Sequence, residues 1–227
     1  MSRVLLPCLF LVAALPALVL PAAADHHKGG DHGDGNNGDG DFVTMWDGKS
    51  LDGWKLADEN QDAFSIDEEK GAIKASGQRC HLFYVANDKP FRNFEFRAKV
   101  MTEPNSNGGI YFHTRYQDTG WPAGGFEAQV NNSYKKDPKL TGSLYAVTNV
   151  MEAPAADNEW FDYMIRVEGD HVRIEIDGKP VVDYYEPAGA KAGKGFDRVL
   201  GAGTFAIQAH DPGSTAYFKE IRVKRLD

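Results

Sequence analysis

Residues 163–185 read YMIRVEGDHVRIEIDGKPVVDYY, and this stretch predicts three antiparallel strands joined by two tight turns. Apolar and charged residues alternate within it, as side chains alternate between the two faces of a strand. Asp177-Gly178 lies between two of the runs and is a strong signal for a two-residue hairpin turn. Gly169-Asp170 is expected to form the turn of the preceding hairpin. The stretch therefore predicts an antiparallel sheet.

Runs of the same kind recur from Phe42 onward, separated by Gly, Pro and Asn. They read AFSI, AIKAS, HLFYV, FEFRAKV, GIYFHTR, FEAQV, TFAIQAH and AYFKEIRVKRL. No segment predicts an amphipathic helix of useful length, and the lack of an internal repeat argues against a propeller. The chain is therefore predicted to be all-β, as a sandwich or a barrel.

Two of these strands are expected to present a polar face. They are GGIYFHTR, residues 108–115, and GFEAQVN, residues 125–131. Alternation places these polar side chains on one face: Tyr111, His113, Arg115, Glu127, Gln129 and Asn131. A solvated surface would be richer in Lys, Ser and Thr, so this face indicates a site for a polar ligand such as a sugar. The alternative is an exposed sheet face that binds nothing.

Further segments add side chains to the same predicted site. Gln208 and His210 share one face of the run FAIQAH. The alternative for His210 is a strand-end histidine bonded to its own turn. Tyr145 ends the segment TGSLY, and Trp121 lies beside Pro and Gly residues in a predicted rim loop. Trp121 is a candidate for stacking on a sugar, although such aromatic residues more often pack in a core.

The first residues predict export. Arg3 precedes an apolar stretch, and Ala22-Ala23-Ala24 matches the small residues of a cleavage site, so residues 1–24 are interpreted as a signal peptide. An uncleaved anchor is the alternative. The predicted location is periplasmic or extracellular, with no membrane span in the mature chain.

Residues 25–41, DHHKGGDHGDGNNGDGD, contain no large apolar side chain. Such a segment cannot offset the entropy lost on ordering, so it is interpreted as a flexible linker, with metal binding as the alternative. The predicted domain spans residues 42–227.

The composition argues against several classes of binding partner and against a fold held by disulfides. The chain has 25 Lys and Arg against 33 Asp and Glu, a net charge of −8, without a basic stripe, which argues against nucleic acid and anionic membranes as partners. Cys8 lies in the predicted signal, so the mature chain keeps only Cys80, and a disulfide framework is excluded. Cys80 is expected to be a buried packing residue.

Common catalytic motifs are also missing. The sequence contains no Gly-x-Ser-x-Gly elbow, no phosphate-binding loop and no HExxH. Glu175-Ile176-Asp177 is the nearest match to the clustered acids of sandwich glycosidases, but Lys179 stands where the third acid would be. A conventional two-carboxylate glycosidase is therefore disfavoured.

Taken in order, five segments resemble one known family: NGGIYFHTR, GWPAGGFEAQVNN, KLTGSLYAV, EWFDYMIRVEGDHVRIEIDGKPVVDY and GTFAIQAHDPGS. This family was long called domain of unknown function 1080 (DUF1080) and is now described as 3-keto-disaccharide hydrolase, or 3-keto-glucoside lyase and hydratase. The likeness extends from Phe42 to Leu226. It implies a concanavalin A-like jelly-roll β-sandwich of two curved antiparallel sheets, in exported bacterial proteins.

The resemblance also implies an unusual route to glycoside cleavage. A separate sugar 3-dehydrogenase first makes a ketone at C3, which acidifies the proton on C2. A base removes that proton, the substituent on C1 leaves by β-elimination, and water then adds, so that the net reaction is hydrolysis. The implied partners are a 3-keto-sugar substrate and, by functional coupling, the dehydrogenase.

The roles implied by the resemblance fall on the polar face. The implied catalytic residues are Glu127, His113, Arg115 and His210. Glu127 is the expected base or a metal ligand, and Arg115 the expected enolate stabiliser. A buried Glu127–Arg115 salt bridge is the alternative. The implied substrate-binding residues are Tyr111, Trp121, Gln129, Asn131, Tyr145 and Gln208.

The cofactor is left open. A divalent metal is the candidate, with Glu127, His113 and His210 as its candidate ligands. A non-catalytic, lectin-like carbohydrate-binding module is the alternative to an enzyme, because a jelly-roll fold does not determine function. A structural or adhesive exported domain is the third reading.

Overall fold

The computed structural model describes residues 41–227. The predicted signal peptide, residues 1–24, and all of the predicted linker except Asp41 lie outside the described residues, so both stay predictions. Within the described part of the chain, no helix has the length and apolar character needed to cross a membrane.

Residues 41–227 form thirteen strands and one short 3-10 helix, Gln61–Ala63. The strands are β1 (Val43–Thr44), β2 (Trp54–Leu56), β3 (Phe64–Asp67), β4 (Ala72–Ser76), β5 (Cys80–Tyr84), β6 (Phe94–Thr102), β7 (Gly108–Thr114), β8 (Phe126–Val130), β9 (Phe161–Glu168), β10 (His171–Ile176), β11 (Lys179–Tyr185), β12 (Thr204–Ala209) and β13 (Thr215–Arg225).

The strands make two antiparallel sheets. The larger sheet has eight strands in the order β11-β10-β9-β6-β13-β4-β3, with β1 paired to β13. The smaller sheet has five strands in the order β2-β5-β12-β7-β8. The predicted all-β, concanavalin A-like jelly-roll sandwich is confirmed.

Aromatic side chains join the two sheets in the core. Phe96 of the larger sheet stacks on Phe205 of the smaller sheet, with ring centroids 5.0 Å apart. Phe94 contacts Phe205 at 4.8 Å and Phe112 at 5.8 Å. Burying one such side chain contributes roughly 1.5–3 kcal/mol. The predicted burial of Cys80 is confirmed, and burial raises the pKa of its thiol to about 11, which makes it a poor nucleophile.

The predicted hairpin turns are confirmed. Asp177 and Gly178 have φ of 50° and 72° between β10 and β11, as a type I′ turn requires. Gly169 has φ of 65° between β9 and β10. These turns hold three strands at one edge of the larger sheet.

Strand β7 is irregular near its end. His113 has φ of 56°, in the left-handed region, and the pairing of β7 with β12 shifts register between Thr204 and Ala206. A Cβ at Gly125 would lie 2.1 Å from the Phe112 carbonyl oxygen, and one at Gly203 would lie 2.2 Å from that of Thr114. The segments on both sides therefore need glycine where they approach the distorted end of β7.

Candidate functional site

A cavity of about 360 Å³ lies on the face of the smaller sheet that is turned away from the core. Its lining residues come from β7, β8, β12 and the surrounding loops. They are Asn107, Tyr111, Trp121, Glu127, Gln129, Asp137, Tyr145, Ala146, Phe196, Arg198, Gln208 and His210. The cavity thus collects side chains from segments that are far apart in the sequence.

The centre of the site is the buried carboxylate of Glu127. Tyr111, its register partner across β7 and β8, donates its hydroxyl to Glu127 Oε2 at 2.8 Å. Gln208 Nε2 donates to Glu127 Oε1 at 2.9 Å and to the Tyr111 hydroxyl at 3.1 Å. Arg198 NH2 lies 3.9 Å from Glu127 Oε2. The carboxylate is therefore held by three side chains from three segments.

A glycine makes room for this carboxylate. A Cβ at Gly109 would lie 2.7 Å from Glu127 Oε1, closer than such contacts occur. Any larger residue at position 109 would push the Glu127 side chain out of the hydrogen bonds with Gln208 and Tyr111 that hold its carboxylate.

Burial is the largest influence on the pKa values of Glu127 and Tyr111, which together form the central pair of the site. It raises the pKa of Glu127, although the hydrogen bond from Tyr111 and the charge of Arg198 act in the opposite direction. Burial, together with the negative charge of Glu127, raises the pKa of Tyr111 well above its usual value. The result is a carboxylate of increased basicity beside a phenol that keeps its proton.

His210 also lines the cavity, and its ring is held in place by Asp211. Its Nδ1 lies 2.8 Å from Asp211 Oδ2. Asp211 also accepts hydrogen bonds from the Ser214 hydroxyl at 2.8 Å and from Gly213 N at 2.9 Å. Burial opposes ionisation of Asp211, but these hydrogen bonds outweigh it and lower its pKa. An aspartate that accepts the Nδ1 proton fixes the imidazole and leaves Nε2 for a ligand.

Several buried polar atoms at the site have no hydrogen-bond partner among residues 41–227. They are Gln129 Oε1, Gln208 Oε1 and Arg198 Nε. The amide nitrogens of both glutamines are engaged, Gln129 Nε2 by Asn107 Oδ1 at 3.0 Å and Gln208 Nε2 by the central pair. Free carbonyl oxygens beside a cavity suit a ligand with hydroxyl groups.

Arg198 is the main residue that sequence reasoning missed. It lies in the loop between β11 and β12, has φ of 34°, and its side chain is only 14% exposed. Its NH1 donates to the Gly125 carbonyl at 3.0 Å. No periodic pattern marks this loop, so the sequence carried no signal for its position. Asn107, Asp137, Ala146 and Phe196 also line the cavity without having been predicted.

The structure does not bring Arg115 to the cavity. Its side chain is 80% exposed, and its NH2 lies 3.7 Å from Asp197. The expectation that Arg115 faces Glu127 was wrong because the left-handed φ at His113 breaks the alternation of faces. The guanidinium beside Glu127 belongs to Arg198 instead.

His113 is also outside the cavity. It is buried against Phe94 and Phe112, with ring centroids 5.6 Å from each. Its Nδ1 accepts a hydrogen bond from Gly201 N at 3.2 Å, and Nε2 lies 2.8 Å from the Arg92 carbonyl oxygen. Both nitrogens are thus satisfied by backbone groups, which is the arrangement of a structural histidine.

We expect His113 to make stability depend on pH. Burial lowers its pKa to about 4 from an ordinary 6.5, so the unfolded chain binds this proton first as the pH falls. The contribution of neutral His113 to the free energy of unfolding is complete above pH 6.5. It falls by about 3 kcal/mol in total as the pH decreases towards 4. Urea unfolding at several pH values should show a smaller decrease over this window for His113→Gln than for the wild type. Identical pH dependence of the two proteins would contradict this.

The other predicted side chains divide into two groups. Tyr111, Trp121, Gln129, Tyr145 and Gln208 line the cavity as expected. Asn131 does not, because its amide nitrogen donates to three backbone carbonyls of the loop of residues 134–139. It supports the loop that carries Asp137 to the cavity.

The candidate metal ligands are not assembled. Among residues 41–227, no three His, Cys, Asp or Glu side chains are grouped to hold a metal ion. Glu127 and His210 share the cavity, but His113 lies elsewhere. The three side chains therefore do not form one coordination site.

Comparisons with known proteins agree with the fold. The family model described as 3-keto-alpha-glucoside-1,2-lyase-like domain matches residues 41–224. A candidate glycosyl hydrolase from Parabacteroides distasonis is similar in structure, with 20% identity, a TM-score of 0.67, and coverage of 82% of this chain and 94% of that chain. The carbohydrate-binding module CBM66 from Bacillus subtilis is similar with 16% identity, a TM-score of 0.52, and coverage of 76% and 95%.

At these identities the structural likeness shows the fold alone. No curated protein is significantly similar to the chain. The family match, which spans most of the chain, supports a carbohydrate-active enzyme domain.

Proposed function

Because the chain belongs to the 3-keto-alpha-glucoside-1,2-lyase-like domain family, we propose that it cleaves 3-keto-glycosides by β-elimination followed by hydration. The observation that carries this proposal is the buried Glu127 carboxylate, which lines a sugar-sized cavity beside the Arg198 guanidinium. A cavity of about 360 Å³ falls within the usual range of ligand sites.

The reaction needs no oxidant, because the substrate already carries the ketone. The base takes the C2 proton, and the electrons of the C2–H bond form an enolate with the C3 oxygen. The enolate collapses to a C1–C2 double bond as the C1–O bond breaks, and the departing oxygen takes up a proton. Water then adds its oxygen to C1 and a proton to C2, which yields the free 3-keto-sugar.

Glu127 is the proposed base. Its pKa is raised by burial, so the carboxylate accepts a proton from carbon more readily than an exposed one. Arg198 is positioned to stabilise the negative charge that develops on the C3 oxygen, because its guanidinium is nearly buried where water screens charge poorly. Tyr111 remains a hydrogen-bond donor that holds the carboxylate.

His210 is the proposed proton donor to the leaving oxygen. Asp211 orients its ring through Nδ1, so Nε2 is the atom that exchanges protons with the ligand. The free oxygens of Gln129 and Gln208 accept hydrogen bonds from sugar hydroxyls, and Trp121 and Tyr145 offer ring faces to the sugar.

Export and coupling complete the proposal. The predicted signal peptide would carry the domain to the periplasm or beyond. A sugar 3-dehydrogenase has to supply the substrate, because an unoxidised glycoside lacks the acidic C2 proton. Both statements stay predictions from the sequence.

Wild-type protein is expected to cleave 3-keto-trehalose and to leave trehalose intact, because only the ketone acidifies the C2 proton. Glucose release should be measured with and without a chelator, and in D₂O the 3-keto-glucose formed should carry deuterium at C2. Loss of turnover with the chelator would show that a metal takes part. Turnover without deuterium at C2 would contradict proton abstraction.

A non-catalytic binding module is the second candidate, and the aromatic residues of the cavity favour it. Trp121, Tyr145 and Phe196 all line the site, as in a lectin that stacks on sugar rings. Binding of several 3-keto-glycosides without any cleavage would decide for this candidate.

A further inference from the structure

His81 is a buried polar side chain that the proposed mechanism does not use. It is fully buried on β5, and both of its ring nitrogens lack a hydrogen-bond partner among the described residues. An unpartnered buried polar group costs free energy, so its presence needs an explanation. Burial lowers the pKa of His81 to about 3, so its ring stays neutral and is able both to donate and to accept.

The side chain of His81 extends the polar row of the site by one strand. His81 pairs in register with Gln208 of β12, so both side chains share the face that carries the cavity. The row runs over four neighbouring strands as Glu127, Tyr111, Gln208 and His81. Three strand spacings separate the backbones of β8 and β5 by about 14 Å, which is wider than one sugar ring. The side chains of Glu127 and Gln208 converge within this width, to 2.9 Å. The present cavity includes the first three residues but not His81.

Trp121 separates His81 from the cavity. The ring of Trp121, which lines the cavity, meets the edge of His81 at 5.6 Å, and Tyr111 meets it at 5.4 Å. Tyr111 belongs to the sheet, whereas Trp121 lies in the loop between β7 and β8. Displacement of Trp121 would therefore leave the pairing of the sheet intact, whereas displacement of Tyr111 would not.

Three kinds of contact hold Trp121. Its ring lies 5.2 Å from that of His210, and its carbonyl accepts a hydrogen bond from Gln117 Nε2 at 3.0 Å. The remaining contacts are polar and involve Arg79.

The Arg79 guanidinium lies 5.3 Å from the Trp121 ring centre. Arg79 binds Glu59 through NH2 at 2.8 Å and Nε at 3.2 Å, and Glu59 accepts a hydrogen bond from Gly120 N at 2.8 Å. Partly exposed ion pairs of this kind contribute little to stability, so the Arg79–Glu59 pair opposes displacement of the loop only weakly.

We propose that Trp121 is a displaceable cover over a second sugar subsite, in which His81 binds hydroxyl groups of the leaving sugar of a 3-keto-disaccharide. This inference rests on the proposed function, which places the keto ring over Glu127 and Arg198. The leaving group then extends across β12 towards β5, past His210. There the unpartnered nitrogens of His81 receive the hydrogen bonds that they lack in the free protein.

The test compares two ligands that share the keto ring. 3-Keto-trehalose carries a second sugar, and methyl 3-keto-α-glucoside carries only a methyl group. Their dissociation constants are measured by calorimetry on Glu127→Gln, which is expected to bind without turnover, and on Glu127→Gln/His81→Leu. We expect His81→Leu to weaken binding of 3-keto-trehalose about tenfold and to leave binding of the methyl glycoside unchanged.

Two further variants complete the experiment. Trp121→Ala removes the cover, so it should strengthen binding of 3-keto-trehalose relative to the methyl glycoside. This change in the ratio of the two constants keeps the test decisive even if His81→Leu fails to fold. His171→Leu, on the other sheet, should change neither constant. An equal change for both ligands, or no change for either, would overturn the subsite. Absence of turnover by wild type with the selective loss intact would overturn the proposed chemistry and not the subsite.

Discussion

Glu127→Gln is expected to lower kcat for 3-keto-trehalose by about 10³-fold, the range found when a general base is removed. The amide has nearly the shape of the carboxylate but cannot accept the C2 proton. The amide oxygen still accepts from Gln208 Nε2, as Glu127 Oε1 does. The Tyr111 hydroxyl, which donates to Glu127 Oε2, has to turn so that it accepts from the amide nitrogen. The loss should therefore appear in kcat and much less in substrate binding.

Stability should separate this effect from misfolding. Burial raises the pKa of Glu127, so its ionised form destabilises the folded chain as the pH rises through that pKa. Glutamine removes this penalty, and thermal unfolding at neutral pH is expected at the same temperature or higher. Glu175→Gln on the other sheet is the matched control and should keep full activity. Turnover by Glu127→Gln close to the wild-type rate would refute the assigned base.

Arg198→Met is expected to lower kcat by about 100-fold, as the loss of one donor to a developing oxyanion does. Methionine keeps much of the aliphatic packing but removes the charge 3.9 Å from Glu127 Oε2. Arg115→Met is the matched control, because Arg115 is 80% exposed and lies outside the cavity. That control should retain the wild-type kcat.

The pH profile gives a second readout for Arg198. Its charge lowers the pKa of Glu127, so Arg198→Met should move the acid limb of the kcat profile to higher pH. A merely structural role would lower the rate without moving the limb. A larger loss for Arg115→Met than for Arg198→Met would instead support the assignment that sequence reasoning favoured.

β-Elimination from a 3-keto-sugar does not require the paired carboxylates of ordinary glycosidases, and the sequence pattern disfavours such a pair. Those enzymes stabilise positive charge at C1 and need two acids around it. Elimination from a 3-keto-sugar develops negative charge on oxygen, so it needs a base and a cation. Glu127 and Arg198 supply one of each.

Local patterns in the sequence determined the strands, the hairpins and most of the polar side chains that line the cavity. Asp177-Gly178 predicted its turn because only residues that tolerate positive φ fit a type I′ turn. Alternation correctly predicted that Tyr111, Glu127, Gln129 and Gln208 face one cavity, because these residues lie in regularly paired stretches of strand.

Only the tertiary structure decided that Arg198 lies beside Glu127, that His113 is buried outside the cavity, and that Trp121 packs against His81. The turn of β7 at His113 depends on close approach by Gly125 and Gly203, which no pattern within β7 reports. Arg198 reaches Glu127 from a loop whose course is determined by contacts with distant segments. Alternation describes a strand only while its pairing is regular, and a loop has no period at all, so the placement of these side chains follows from packing between segments far apart in the chain.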